Sequence, residues 1–198
     1  IKNIVTYGTH HATVCGQVKN SHDLLEVAIT AGANINSIQT NLVGAYNLSN
    51  VLLAVAVGKH FSVPDEKIKQ SLENYEPTNS RSQLLQKDGN KIILDAYNAN
   101  PTSMKAAIEN FAAMDVTHKI LILGGMMELG NESVPEHQQL IDLINNYTWK
   151  QVVLVGGDFN KTNHHYQYFD NAALAGLWLK DQHFTNTGML IKGSRSTQ

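Results

Sequence analysis

A single cysteine, Cys15, excludes an intramolecular disulfide framework. Nothing in the chain resembles a secretion signal, and no apolar run approaches the length that spans a bilayer, so a reducing, cytoplasmic setting fits. Charge is sparse: 15 Lys and Arg against 17 Asp and Glu leave a net of -2, with no basic stripe. That balance argues against nucleic acid and anionic membranes as major partners, although the nine His would shift it below neutral pH. Phosphate-binding loops are missing too. Neither Gly-x-x-x-x-Gly-Lys-Ser/Thr nor Gly-x-Gly-x-x-Gly occurs, so any nucleotide site in this chain is half a site. The pairs His10-His11 and His164-His165 invite a metal reading, but neighbours on a strand point to opposite faces and chelate poorly. No metal-ligand set is expected.

What is present is globular: 42% hydrophobic and 16% charged over 198 residues, enough for one large domain or two small ones. The chain opens on Ile rather than Met and runs straight into strand-like sequence, which reads as a piece of something longer. Short strands are expected at Ile4 to Tyr7, through Ala12, Val14, Gly16 and Val18, and at Leu24 to Ile29. Gly44-Ala45-Tyr46-Asn47-Leu48-Ser49-Asn50 then opens Val51 to Val57, apolar on every side and expected to be a buried helix ending near Gly58. Asn47 and Asn50 share one helical face, and an amide suits a purine edge, though for Asn47 alone an ordinary cap is the favoured reading. A second helix starts at Pro64 and Asp65, and the polar Glu76-Pro77-Thr78-Asn79-Ser80 marks a boundary, giving domains 1–78 and 79–198.

Beyond the boundary, Gln83 to Leu85 and Lys91 to Leu94 flank Lys87-Asp88-Gly89-Asn90, a strong hairpin signal. Arg81 just before it is either solvated or poised to reach a phosphate. Strands at Lys119 to Leu123, Val152 to Val155 and Met189 to Ile191 alternate with helices after Asn100, after Ser133 and from Ala172 to Leu179. Ser133-Val134-Pro135-Glu136 reads as a capping box. The fold class is therefore α/β, with a Rossmann-like, mostly parallel C-terminal sheet.

The stretch Asp95-Ala96-Tyr97-Asn98-Ala99-Asn100-Pro101-Thr102-Ser103 joins the strand Lys91 to Leu94 directly to a helix with an apolar face at Met104, Ala107, Ile108, Phe111 and Met114. Asn100 suits the N-cap and Pro101 the first helical position. Asp95, Tyr97, Asn98 and Asn100 then lie at the carboxyl edge of the sheet, where doubly wound folds bind ligands and an acidic residue can accept from a ribose. A merely well-capped strand-to-helix turn is the plainer alternative.

Taken together, these motifs resemble the Mur ligase family. Gly44 to Asn50 looks like its Gly-x-His-Asn-x-x-Asn helix start, with Tyr46 for His; Arg81 falls at its Gly-Arg junction, with Ser80 for Gly. Asp95 to Ser103 matches an Asp-x-Tyr-Asn-Ala-Asn-Pro-x-Ser segment. Gly124 to Gly130, with Glu132 and His137, resembles a Gly-Asp-Met-x-Glu-Leu-Gly loop with Gly125 for Asp, and Lys192-Gly193-Ser194-Arg195 resembles Val-Lys-Gly-Ser-Arg. The resemblance implies the C-terminal part of a central ATP-binding domain, then a C-terminal ligase domain, with the phosphate loop elsewhere.

The implied chemistry joins D-alanyl-D-alanine to UDP-N-acetylmuramoyl-tripeptide through an acyl phosphate made from ATP, with Mg2+ held mostly by residues outside this chain. Asn50 would contact adenine, Asp95 the ribose and Arg81 the ribose or phosphates, with Tyr97, Asn98 and Asn100 on the same edge. Lys192, Ser194 and Arg195 would line the dipeptide side, the two bases being candidates for its carboxylate. No catalytic residue is expected in this piece, and on its own it should not turn over ATP. A non-catalytic nucleotide- or partner-binding module, another Mur-family ligase, or a folylpolyglutamate-type ligase are the alternatives.

Overall fold

The computed structural model describes residues 4–78 and 80–195, so Asn79 of the expected boundary and Ser196 of the C-terminal loop lie outside the described residues. The chain divides into two compact units, Ile1–Pro77 and Thr78–Gln198.

In the first unit, strands β1 (Tyr7–Gly8), β2 (Val14–Asn20), β3 (Glu26–Ala31) and β4 (Ser37–Gln39) lie side by side in chain order. β1 runs parallel to β2; the other pairs are antiparallel. Helices α1 (Leu48–His60) and α2 (Asp65–Glu73) follow. Val14, Leu25, Val27 and Ile38 of the strand region pack with Val51, Leu52, Val55 and Ile68 of the helices in one core. The sequence reading missed β4, three residues long with a single buried side chain, Ile38. It also expected α1 to be buried all round. Val51, Leu52, Val55 and Ala56 are buried, but Leu53, Val57 and Phe61 are exposed, so an evenly apolar run presents only one face to this core.

The second unit is built on β5 (Gln83–Lys87), β6 (Asn90–Asp95), α3 (Pro101–Ala113), β7 (Lys119–Gly124), α4 (Ser133–Ile144), β8 (Gln151–Val155), β9 (Gln167–Phe169), α5 (Ala172–Asp181) and β10 (Gly188–Lys192). The strand order is β5-β6-β10-β7-β8-β9, and every pairing is parallel except β5 with β6. Asp88 and Gly89 both take positive φ, 53° and 74°, the combination that a two-residue hairpin turn following the strand twist requires. From β6 the chain passes over the place of β10 to reach β7 and then β8. It returns from β9 to β10, so right-handed crossovers put α3 and α4 on one face and α5 on the other. The α5 face carries Ile120, Ile122, Val153, Val155 and Met189. The alternate residues Ile93, Leu121, Leu123, Leu154 and Leu190 are buried on the opposite face.

Two local readings differ from the sequence expectation. The Ser133 to Glu136 box does not form, because a 3-10 turn at Gly130–Glu132 runs directly into α4, placing Ser133 inside the helix with Glu132 at the cap position. The reciprocal box is at α3 instead: Asn100 Oδ1 accepts from Ser103 N at 2.8 Å and Ser103 Oγ accepts from Asn100 N at 3.2 Å, with Pro101 at the first position. Strand β9 was also missed, since three half-buried residues carry no periodic signal.

Candidate functional site

Five parallel strands end at one edge of the second unit, and β6 and β10 are neighbours in register, Ile191 opposite Leu94 and Lys192 opposite Asp95. Side chains at paired positions stand on the same face of a sheet, so the last residues of the two strands meet. Lys192 Nζ lies 2.6 Å from Asp95 Oδ2, with the lysine side chain 3% exposed and the aspartate 15%. The ammonium also donates to Asn98 O at 3.3 Å. The other carboxylate oxygen accepts from Ser82 N at 3.1 Å, which ties the start of β5 to the same point. The sequence reading sent the Lys192 charge to a substrate carboxylate. In the fold that charge is held on Asp95, because parallel register sets Lys192 directly opposite it.

Around this pair lie the expected residues of the second unit. The Arg81 guanidinium stacks on the Tyr97 ring, 3.6 Å from its centroid. Ser80 and Ser82 on either side of Arg81 take φ of 57° and 48°, the region where glycine is at ease. Ser80 thus occupies the backbone position where the resembled pattern carries Gly. Asn98 Oδ1 accepts from Ala99 N at 2.8 Å, tightening the turn, and Tyr97 and Asn98 are exposed on it. Asn100 is spent on capping α3. Asn50 belongs to the first unit, exposed near the start of α1, where its Nδ2 donates to Asn47 Oδ1 at 2.9 Å. Asn47 is buried and donates in turn to Val43 O, so it braces Asn50 rather than capping the helix with its side chain.

The same edge continues past β7 and β8 as a polar crevice of about 500 Å³, walled by Met126 to Gly130 on one side and Gly156 to Asp158 on the other. The two walls touch at glycine: a Cβ on Gly125 would sit 2.5 Å from the Gly157 Cα, which leaves no room for the Asp of the resembled pattern. Ser194 N donates to Gly125 O at 3.4 Å, bringing the loop after β10 against the first wall, with Arg195 exposed at its end. Behind the wall, His137 of α4 is fully buried. Burial pulls its pKa below the ordinary 6.5, outweighing a hydrogen bond to Ser133 and the charge of Asp158, which both raise it. Ser82 and His137 are the structural residues that reasoning from side-chain chemistry did not single out. Ser82 carries no sequence signal. His137 does, sitting at the apolar spacing of Leu140, Ile141 and Ile144.

Residues 80–193 match the family described as Mur ligase, glutamate ligase domain. The chain belongs to the Mur ligase family. It is 34% identical over 134 residues to the UDP-N-acetylmuramoyl-tripeptide--D-alanyl-D-alanine ligase of Bacillus subtilis, covering 67% of this chain and 29% of that protein. The corresponding Buchnera aphidicola enzyme is 31% identical over 171 residues, 82% of this chain and 37% of the relative. Among solved structures, MurF from Acinetobacter baumannii superposes with a TM-score of 0.82 at 26% identity, over 99% of this chain and 45% of that one. The MurF ligase of Thermotoga maritima in complex with ADP shares the fold with the same score, 0.82, at 17% identity, covering 99% of this chain and 46% of that one. The chain thus spans about a third of these curated Mur ligases and under half of the MurF structures.

Two outcomes follow from the geometry of this Mur ligase edge. A double-mutant cycle with Asp95→Asn and Lys192→Met, read by denaturant unfolding of this chain, should give a coupling of about 1 to 3 kcal/mol, as a largely buried charged hydrogen bond does. Additive losses would mean that the two side chains do not pair. The second concerns pH. Because the folded-state pKa of His137 is depressed, below pH 6.5 the unfolded chain takes up a proton that the folded chain refuses. Stability from this group is complete above that value and drains as the pH falls toward the folded pKa. Between pH 7 and 5, unfolding free energy should therefore fall more steeply for the unsubstituted chain than for His137→Gln; parallel slopes would contradict the burial argument.

Proposed function

We propose that this chain is the part of an ATP-dependent ligase of peptidoglycan precursor synthesis that binds the nucleoside of ATP and positions the incoming amine. The reaction joins D-alanyl-D-alanine to UDP-N-acetylmuramoyl-tripeptide in the cytoplasm. The observation that supports this reading is the edge itself: a carboxylate, Asp95, fixed at the end of β6, and a guanidinium, Arg81, over the Tyr97 ring two residues on from it.

Roles follow from the side-chain chemistry. Asp95 accepts from Lys192 Nζ, Ser82 N and the Ser82 hydroxyl and keeps its remaining lone-pair capacity for a ribose diol. Arg81 is a fork of donors suited to ribose or phosphate oxygens, and Asn50 offers an amide to the purine edge. Tyr97, Asn98 and Asn100 line the same edge from the turn after β6. On the amine side, Arg195 and Ser194 hold the dipeptide carboxylate beside the crevice walled by Met126 to Gly130. Lys192 joins the two sides, touching Asp95 while anchoring the loop that bears Arg195. ATP supplies the phosphoryl group that activates the tripeptide carboxylate; the residues here contribute orientation and effective concentration. Among the described residues no three His, Cys, Asp or Glu side chains are grouped to hold a metal ion.

In the full-length ligase carrying this chain, Asp95→Asn should raise the KM for ATP by about tenfold or more, the worth of a charged hydrogen bond, and leave that for D-alanyl-D-alanine near its original value. Arg195→Ala should do the reverse. Melting temperatures taken alongside separate binding losses from misfolding. Unchanged ATP kinetics in a folded Asp95→Asn enzyme would reduce Asp95 to a structural ion pair.

A further inference from the structure

Among the buried groups that the proposed reaction leaves unused, His137 has the most constrained surroundings. One ring nitrogen, Nδ1, lies 2.6 Å from Ser133 O, an atom that can only accept. The other, Nε2, lies 3.0 Å from Met126 N, a group that can only donate. Both bonds are satisfied by one tautomer alone: neutral imidazole with its proton on Nδ1. The ring is wedged edge-on to Phe159, centroids 4.6 Å apart at 89°, and a Cβ on Gly157 would come within 3.1 Å of Nε2. His137 therefore touches both walls of the 500 Å³ crevice from behind while remaining closed to solvent.

We propose that His137 is a positioning residue, a neutral latch that holds the Met126 to Gly130 wall against the first turn of α4 and so sets the shape in which the crevice receives the amine substrate. The latch itself needs only the two hydrogen bonds; its bearing on the amine rests on the ligase reading above. Gly124 ends β7, and Gly125, which must stay small to pass Gly157, is held by backbone bonds to Val155 O and from Ser194 N; the side-chain bond at Met126 N carries that hold one residue further into the wall. Asp158, the acidic group on the opposite wall, is bonded to Lys161 and Ser133. It stabilises a protonated ring from a distance without replacing the acceptor that Met126 N requires.

Two substitutions separate the latch from mere packing. His137→Gln keeps an acceptor at the distance of Nε2, whereas His137→Asn keeps a donor at the distance of Nδ1 and withdraws the acceptor from Met126 N. In the full-length ligase, His137→Asn should raise the KM for D-alanyl-D-alanine about three- to tenfold, the worth of one neutral hydrogen bond, with the KM for ATP within twofold. His137→Gln should restore the dipeptide KM. Equal effects of the two variants on both substrates, or no effect of either, would overturn the positioning role. The tautomer is read independently on this chain by long-range 1H–15N correlation at neutral pH. A proton on Nδ1 with a bare Nε2 supports the latch; a proton on Nε2, or an imidazolium, overturns it. If the unsubstituted ligase shows no dipeptide-dependent ATP hydrolysis, the ligase reading fails, and the tautomer still decides the latch.

Discussion

The ion pair between Lys192 and Asp95 is the contact through which the site is assembled. It closes two adjacent parallel strands at their carboxyl ends and draws in the Asn98 carbonyl and the Ser82 amide. Each of these belongs to a different segment: the last residue of β10, the last of β6, the turn before α3 and the start of β5. Burying a lysine and an aspartate together costs desolvation that the attraction alone does not clearly exceed, so the pair is weak evidence for stability. Its value lies in specificity. With Asp95 bonded on both oxygens, Ser82 is held at a φ of 48°, Ser80 before Arg81 takes 57°, and the guanidinium between them lies over Tyr97.

From that point the edge has two sides of different character. The side at β6, proposed for the nucleoside, is built of short pieces: a strand end, a capped helix and an arginine over a tyrosine ring. The other is built of loops that touch where only glycine fits, Gly125 against Gly157, with Ser194 bonded to the Gly125 carbonyl. A site that binds one substrate and orients another needs this division, since a fixed nucleoside gives the incoming amine a constant frame. Lys192 joins the two sides, bonded to Asp95 at the end of β6 and to the Asn98 carbonyl, while its own strand leads into the loop of Ser194.

Much of this was legible in the residues. The hairpin at Asp88-Gly89, the capped start of α3 at Asn100-Pro101 and the alternation of strands and helices carry local signals, because turn chemistry and apolar spacing act over a few residues. Asp95, Tyr97 and Asn98 could be placed at the sheet edge for the same reason, lying within four residues at a strand end. The destination of Lys192 was not legible: its partner is 97 residues away, and only strand order and register bring β10 beside β6. Nor were β4 and β9, whose three residues each pair with a neighbour without any pattern of their own. The capping box expected at Ser133 failed because the preceding 3-10 turn had already supplied the helix with its start.

The central claim is that the edge of β6, rather than the crevice beyond β7, receives the nucleoside. Amide chemical shifts of this chain during titration with ADP test it most directly. The account predicts that the largest changes cluster at Arg81, Ser82 and Asp95 to Asn98, and that Lys192→Met diminishes them. Changes confined to Met126 to Gly130 and Gly156 to Asp158, with none at Asp95 to Asn98, would contradict it.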